Sequence, residues 1–344
     1  MKKWLCAALA VLTALSLCAC NETVDPYKVG PGTVDTEKDY VILPETVKDD
    51  FKYDNKNGDY YYAVYGRHAE ITRYVGTDKD VSLPTGLDNR PVTVIAEGAF
   101  ADRLSVTAVN VPDTVTTIGA HAFERCRGLR KITGCQNLTS IGTDAFAYDE
   151  NLVDFPWTGN KLANIGSYAF TWCTALSSVT IPASCDTIGN YAFRCCSALA
   201  NLTFEDGALD SVGEQAFFAC TALQTLVYPN IRGECGESIF GQCTALVNVT
   251  FDPEASGISI RAFQGCSALR QITIPRSITS IGAYAFGSCT SLVRVTVSGD
   301  MTSIGSHAFL LVDDLTIVGI KGSATEYYVK NRADGKNWTF QSLY

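Results

Sequence analysis

A column of phenylalanines sets the period of this chain. Phe100, Phe123, Phe146, Phe170, Phe193, Phe217, Phe240, Phe263, Phe286 and Phe309 follow one another in steps of 23 residues, lengthened to 24 after Phe146 and after Phe193. Other apolar positions keep fixed offsets from them. An aliphatic residue stands five before the Phe in nine of ten copies, as Ile118, Ile141 and Ile188 do. Ala immediately precedes the Phe in nine of ten copies, Ile239 being the exception, and Leu follows six later, with Val106 in the first copy. Gly follows the aliphatic residue in eight of ten, Gly119 and Gly166 among them, which suits a sharp bend or a close backbone approach. Beyond the Leu the pattern alternates, as in Leu176-Ser-Ser-Val179-Thr-Ile181-Pro182, the period of a half-buried strand. Pro112, Pro182, Pro229 and Pro275 stop that strand in four copies. A second short run such as Thr116-Thr117-Ile118 leads into the next turn. The Ala-Phe segment is too short for a long helix and is expected to make a single helical or 3-10 turn. The two longer steps predict loop insertions within 157–164 and 205–211.

Ten copies in phase predict a leucine-rich-repeat solenoid, because a repeat of 20–29 residues with strand, turn and aligned Leu, Ile and Phe columns cannot bury its apolar face alone and must stack. At about 4.8 Å per strand, ten repeats span roughly 50 Å. Length alone would suggest two domains for 344 residues; the repeat replaces that with one elongated domain over 95–322. The segment 51–94 is expected as an N-terminal lead-in and cap, and 323–344 as a C-terminal cap, with Ser323 the N-cap of a helix over Ala324–Asn331 and an end strand near Trp338–Phe340.

The first nineteen residues read as a signal peptide. Lys2 and Lys3 precede a short apolar run from Trp4 to Leu17, and Leu17-Cys18-Ala19-Cys20 closes it. That closing pattern resembles a bacterial lipobox, which implies cleavage before Cys20 and lipidation of Cys20; the alternative is an ordinary secretory signal with Cys20 left as a thiol. Several acyl chains hold a protein stably on a membrane, at about 0.8 kcal/mol per buried CH₂. Residues 20–50 carry Pro26, Pro31 and Pro44 without a sustained period and read as a tether.

Fourteen cysteines invite metal or redox chemistry, but their placement argues otherwise. Cys126, Cys173, Cys196, Cys220, Cys243, Cys266 and Cys289 all fall three residues after the Phe, with Arg103, Asp149 and Val312 in that slot elsewhere, and Cys235 falls in the aliphatic column. A single file of thiols offers no tetrahedral convergence for zinc, and side chains in a parallel ladder match poorly the torsion a disulfide needs. These cysteines are expected to pack as small hydrophobes. Cys135, Cys185 and Cys195 lie off these columns and are expected as the exposed or reactive thiols.

The unit Ile-Gly-x-x-Ala-Phe-x-x-Cys-x-x-Leu-x-x-Val-x-Ile-Pro resembles the BspA-like, Treponema-type leucine-rich repeat over roughly residues 90–320, most clearly at Ile165 to Pro182 and Ile281 to Val297. Tyr74-Val75-Gly76 and Arg90-Pro91-Val92-Thr93-Val94-Ile95 look like the lead-in common in such proteins. The resemblance implies a bacterial surface protein that binds host matrix or plasma proteins, or other bacteria.

A net charge of −9, deepening to −11 once Lys2 and Lys3 are removed with the signal, excludes the basic stripe of a nucleic-acid binder. No cofactor motif is present. His121 and His307 are eight repeats and about 40 Å apart, too far to share a metal or a base, and His68 lies in the lead-in; all three read as solvated side chains. There is no metalloprotease, nucleophile-elbow or phosphate-loop motif. Scattered carboxylates leave a hydrolase as a third class with no residue singled out. Candidate ligand contacts are the exposed positions seven and eight after each Phe: Arg130, Lys131, Asp154, Asn201, Gln224, Asn248, Arg270, Gln271 and Arg294. A Thr ladder, including Thr133, Thr180, Thr203, Thr250, Thr273 and Thr296, stands ten after the Phe and fits strand propensity. The expectation is a non-catalytic, lipid-anchored surface protein that binds a protein ligand on this face. The alternative is a glycan-binding lipoprotein serving nutrient capture.

Overall fold

The computed structural model describes residues 55–157, 159, 161–207, 209–299, 301–331 and 337–343. The expected signal, Cys20 and the 20–50 tether lie outside the described residues.

Each Phe-centred unit makes one turn of a β-solenoid. Its short aliphatic strand and its longer alternating strand pair in parallel with the same columns of the neighbouring unit, as in Ser140↔Thr117 and Ile141↔Ile118, and in Ser178↔Asn201 through Ile181↔Phe204. Register is set by the pattern: Val179 and Ile181 point into the core and Ser178 faces out, so a slip of one residue would turn every apolar side chain to solvent. One hydrophobic core runs the length of the stack. The ten phenylalanines are buried within it and stack in file, from 4.9 Å between the Phe100 and Phe123 centroids to 6.0 Å between Phe240 and Phe263. Rings at such separations attract one another by about 0.5–1.5 kcal/mol beyond their burial.

The Ala-Phe segments are not helical or 3-10 turns. The only helix among the described residues is Ala324–Lys330. Instead, the residues two before and two after each Phe have positive φ, and all but Gly98 and Gly265 carry side chains; Tyr168 and Trp172 sit at 58° and 60°. The left-handed region costs such residues about 1–2 kcal/mol each. What offsets it is a ladder between units. The amides of the residue two before, the Phe itself and the residue two after donate to the next unit: Tyr168 N–H to the Asn190 carbonyl at 2.8 Å, Phe170 to Ala192 at 2.7 Å, Trp172 to Arg194 at 2.9 Å. The same three bonds recur at all nine steps. A helical turn would direct those amides back to its own carbonyls and lose the ladder. The Gly column has a related cause: a Cβ on Gly166 would lie 2.5 Å from the carbonyl carbon of Gly142 in the preceding unit.

The aliphatic strands form a continuous sheet from Asn55–Asn57 to Ile231–Cys235, and a second of three strands from Gly257–Ile258 to Ser303–Ile304. The alternating strands are divided into four groups. Two of the divisions coincide with the 24-residue steps. After Phe146 the indole of Trp157 is buried against Phe155, Phe170 and Phe193, and its Nε1 donates to the Ser178 carbonyl at 3.2 Å. After Phe193 the aliphatic strand is lengthened to Leu209–Val212.

At the N-terminal end an antiparallel meander, Asn55–Asn57, Tyr60–Tyr65 and His68–Tyr74, passes into parallel pairing with Arg90–Ile95. Tyr74 stacks on Phe100 at 4.9 Å. At the other end Thr339–Ser342 pairs in parallel with Thr316–Gly319, and Tyr328 and Trp338 stand edge-on to Phe309. Ser323 precedes the helix without a side-chain capping bond; the Glu326 carboxylate reaches back to the Gly322 N–H at 2.6 Å in its place.

Candidate functional site

All nine predicted contact residues are exposed on the alternating strands or at their leading edge. The polar neighbours of inward Val, Leu and Ile have no other direction to point. They do not form one cluster. Arg130, Lys131 and Asp154 lie toward the N-terminal end, where Lys131 Nζ pairs with Asp154 at 3.9 Å. Both partners are more than half exposed, which makes this a weak pair. Asn201 and Gln224 occupy the middle. Asn248, Gln271 and Arg294 come together in a cleft of about 550 Å³ that also presents Thr250, Thr273 and Thr296. Arg294 donates to the Gln341 side chain at 3.4 Å.

Two features of this surface were not read from the sequence. Val153, Val227, Val247 and Val293 are each about half exposed on the same face; the signal was apolar residues interspersed among polar ones in the columns seven and ten after the Phe. On the turn edge, the left-handed positions two before the Phe form aromatic ladders. Tyr168 stacks on Tyr191 at 4.8 Å and Tyr284 on His307 at 5.2 Å, with the Arg261 guanidinium over Tyr284. Arg261 also pairs with Glu237. His121 contacts the Glu124 carboxylate at 2.9 Å and His68 contacts Glu70 at 3.2 Å.

The thiols correct the sequence reading in both directions. Cys135, Cys185 and Cys195, expected to be exposed, are buried. Cys185 belongs to a further core column, eight before the Phe, with Val115, Leu138, Leu162 and Ile278. Burial pushes the Cys135 and Cys185 thiols up to about 12, away from nucleophilic use. Cys195 takes one of the left-handed turn positions. Cys235, expected in the core, is instead the exposed one. Its strand carries a register shift between Leu209 and Ser211, past which Cys235 pairs with Val212 in the usual column; the strand is the last of its sheet, and Arg232, Gly233, Glu234 and Cys235 are exposed. Arg232 pairs with Asp210 at 2.8 Å, and the Cys235 thiol meets the Tyr228 hydroxyl at 3.5 Å.

The seven columnar cysteines do more than fill space. Each thiol donates to the Phe carbonyl of the preceding unit, from 2.8 Å for Cys126 to Phe100 to 3.5 Å for Cys243 to Phe217. The thiol is a weak donor small enough for the slot, and it satisfies a second lone pair of a buried carbonyl. Among the described residues, no three His, Cys, Asp or Glu side chains gather as a metal site, and no helix is long and apolar enough to cross a membrane.

The model of the BspA type leucine rich repeat region, six copies long, matches residues 93–224 and 210–330. No curated protein matches the chain. Among solved structures, the T. pallidum leucine rich repeat protein is 27% identical with a TM-score of 0.45, over 69% of this chain and 90% of its own. A leucine rich cell surface protein from Faecalibacterium prausnitzii A2-165 is 22% identical with a TM-score of 0.38, over 80% and 96%. The pneumococcal vaccine antigen PcpA is 20% identical with a TM-score of 0.49, over 76% and 69%.

Proposed function

Since the chain belongs to the BspA type leucine-rich repeat family, we propose that it is a non-catalytic binding protein of the bacterial surface, held there by a lipid on Cys20 and engaging a protein ligand through its alternating strands. The observation that carries the reading is that all nine predicted contacts are exposed, with Asn248, Gln271 and Arg294 gathered at one cleft. A long face of short parallel strands with variable polar residues and isolated valines is suited to a standard protein interface of about 800 Å² per partner. A glycan ligand would be drawn to free ring faces, and the turn-edge aromatics spend at least one face on each other.

The test is retention of ligands by the mature protein from Cys20 onward, presented with extracellular-matrix proteins, mucins and glycans. Retention of a protein ligand, lost on joint charge reversal of Arg130, Lys131, Arg270 and Arg294 with the melting profile intact, is the expected result. Retention of glycans alone, or binding indifferent to those substitutions, would overturn it. The lipid is tested separately by incorporation of labelled fatty acid, which Cys20→Ala should abolish.

A further inference from the structure

Two of the three divisions in the alternating strands fall where the chain is one residue longer. The third, between Asn248–Phe251 and Gln271–Ile274, falls on an ordinary 23-residue step. It is also the one boundary, among the described residues, where the opposite sheet divides, ending at Ile231–Cys235 and resuming at Gly257–Ile258. Two backbone rungs recur on either side of it. The amide seven before the Phe donates to its equivalent in the preceding unit, as Asp210 does to Asp186 at 2.8 Å and Thr279 to Ser256 at 2.9 Å. The amide four before donates to the residue five before, as Gly236 does to Val212 and Gly282 to Ile258, both at 2.8 Å. Ser256 and Ser259 make neither rung.

The sequence contains the cause. Ser259 stands in the Gly column. A Cβ on the glycines of the flanking units would lie 2.3 Å from the Glu214 nitrogen for Gly236 and 2.5 Å from the Ile260 nitrogen for Gly282. The Cβ that Ser259 does carry cannot be accommodated at that spacing, so its unit stands off from the one before. The Phe file registers the gap: Phe240 to Phe263 is its widest interval at 6.0 Å, against 5.4 Å on either side. Tyr228 fills it, packing on Phe240 and Phe263 at 5.9 and 5.6 Å in a column that holds Ile181 and Ile274 elsewhere. Ala96 also has a Cβ in this column, but the strand beneath it is the lead-in and not a repeat corner, and its amide still reaches Ile71 at 2.8 Å. What crosses the boundary intact is the turn ladder, Ser238 to Ile260, Phe240 to Ala262 and Gln242 to Gln264, at 2.7–2.9 Å.

We propose that the solenoid is two rigid stacks, the described residues of 55–251 and of 257–343, articulated at this boundary about the phenylalanine turn edge. Both sheets are already parted there, one edge remains bonded, and the 550 Å³ cleft beside Asn248 and Gln271 is the mouth of the hinge. The curvature of the exposed strand face changes with the hinge angle. The device is independent of what that face binds.

Electron-electron distance measurements on the full chain test it, with spin labels on a keto amino acid, orthogonal to the native thiols, at two pairs of exposed positions. Val153 with Val293 spans the boundary; Leu104 with Val227 lies within one stack. The spanning pair is expected to show a distribution about twice as broad as the control, as hinge motion produces. Ser259→Gly should narrow it to the control width, whereas Ser259→Ala, which keeps the Cβ, should leave it broad. Equal widths in the native protein would overturn the hinge, as would narrowing by alanine to the same degree as by glycine, or no narrowing by glycine.

Discussion

The two long edges of this solenoid are built on opposite terms. Along the phenylalanine edge, three backbone bonds recur at every one of nine steps without interruption, across both 24-residue steps and across the Ser259 boundary. Along the alternating strands, the same stack is divided into four groups. The turn edge ties its backbone at left-handed positions that need no particular side chain, so its bonding survives sequence change. The strand face depends on register, and an extra residue or a misplaced Cβ parts it. One edge is a spine, and the other is free to vary in residue and in spacing.

The largest test of that contrast is to damage the spine from inside. Phe170→Ala empties a buried position in the file and should cost about 3–5 kcal/mol. Gly166→Ala, which places a methyl 2.5 Å from backbone, should destabilise the same boundary. Urea melts decide it, and a cost for Phe170→Ala below about 1 kcal/mol would remove the spine from the account.

A medium effect sharpens it. Asp149 holds a slot in the thiol column, buried, with neither carboxylate oxygen hydrogen-bonded. Burial holds its carboxyl well above the usual range, so the folded protein keeps it neutral where the unfolded chain ionises. The sign follows: below the unfolded value of 3.8 the two states bind the same proton, and above it stability is lost as pH rises toward the folded value. Asp149→Cys should therefore stabilise by about 1–3 kcal/mol at pH 7, with the gain shrinking as pH falls toward 4. Melts across that range check it; a gain independent of pH would mean the carboxyl was not the cause.

The smallest effect belongs to the variable edge. Arg270→Glu combined with Arg294→Glu should move stability by no more than about 0.5 kcal/mol. A loss above about 1 kcal/mol would make those residues part of the scaffold.

Much of this was legible in the sequence. The Phe, Ala, Leu and Gly columns were visible because each answers to one contact repeated in nearly every unit. The nine exposed residues were visible because alternation leaves them one direction. Three things were hidden. Val115, Leu138 and Ile278 were not recognised as a column, so Cys185 looked stray when it was core. Cys235 does keep the aliphatic register opposite Val212, but fixed offsets cannot reveal that its strand is the last of its sheet. The left-handed turn was invisible because residues such as Tyr168, Arg125 and Trp172 stand where glycine would have announced it.

The turn ladder also has a direction. Every one of its bonds runs from an amide to a carbonyl of the later unit, so each cross-section of the molecule is a template whose two faces complement each other, donors on one and acceptors on the other. Like parts with complementary ends define an open polymer, extensible without limit. At the first unit, whose face presents acceptors, the Tyr74 amide occupies the Ala99 carbonyl at 2.8 Å; at the last, whose face presents donors, the Tyr328 and Trp338 rings stand edge-on to Phe309. The aromatic residues flanking the stack pack against the first and last rings of its phenylalanine file, Tyr74 on Phe100 and Tyr328 and Trp338 on Phe309.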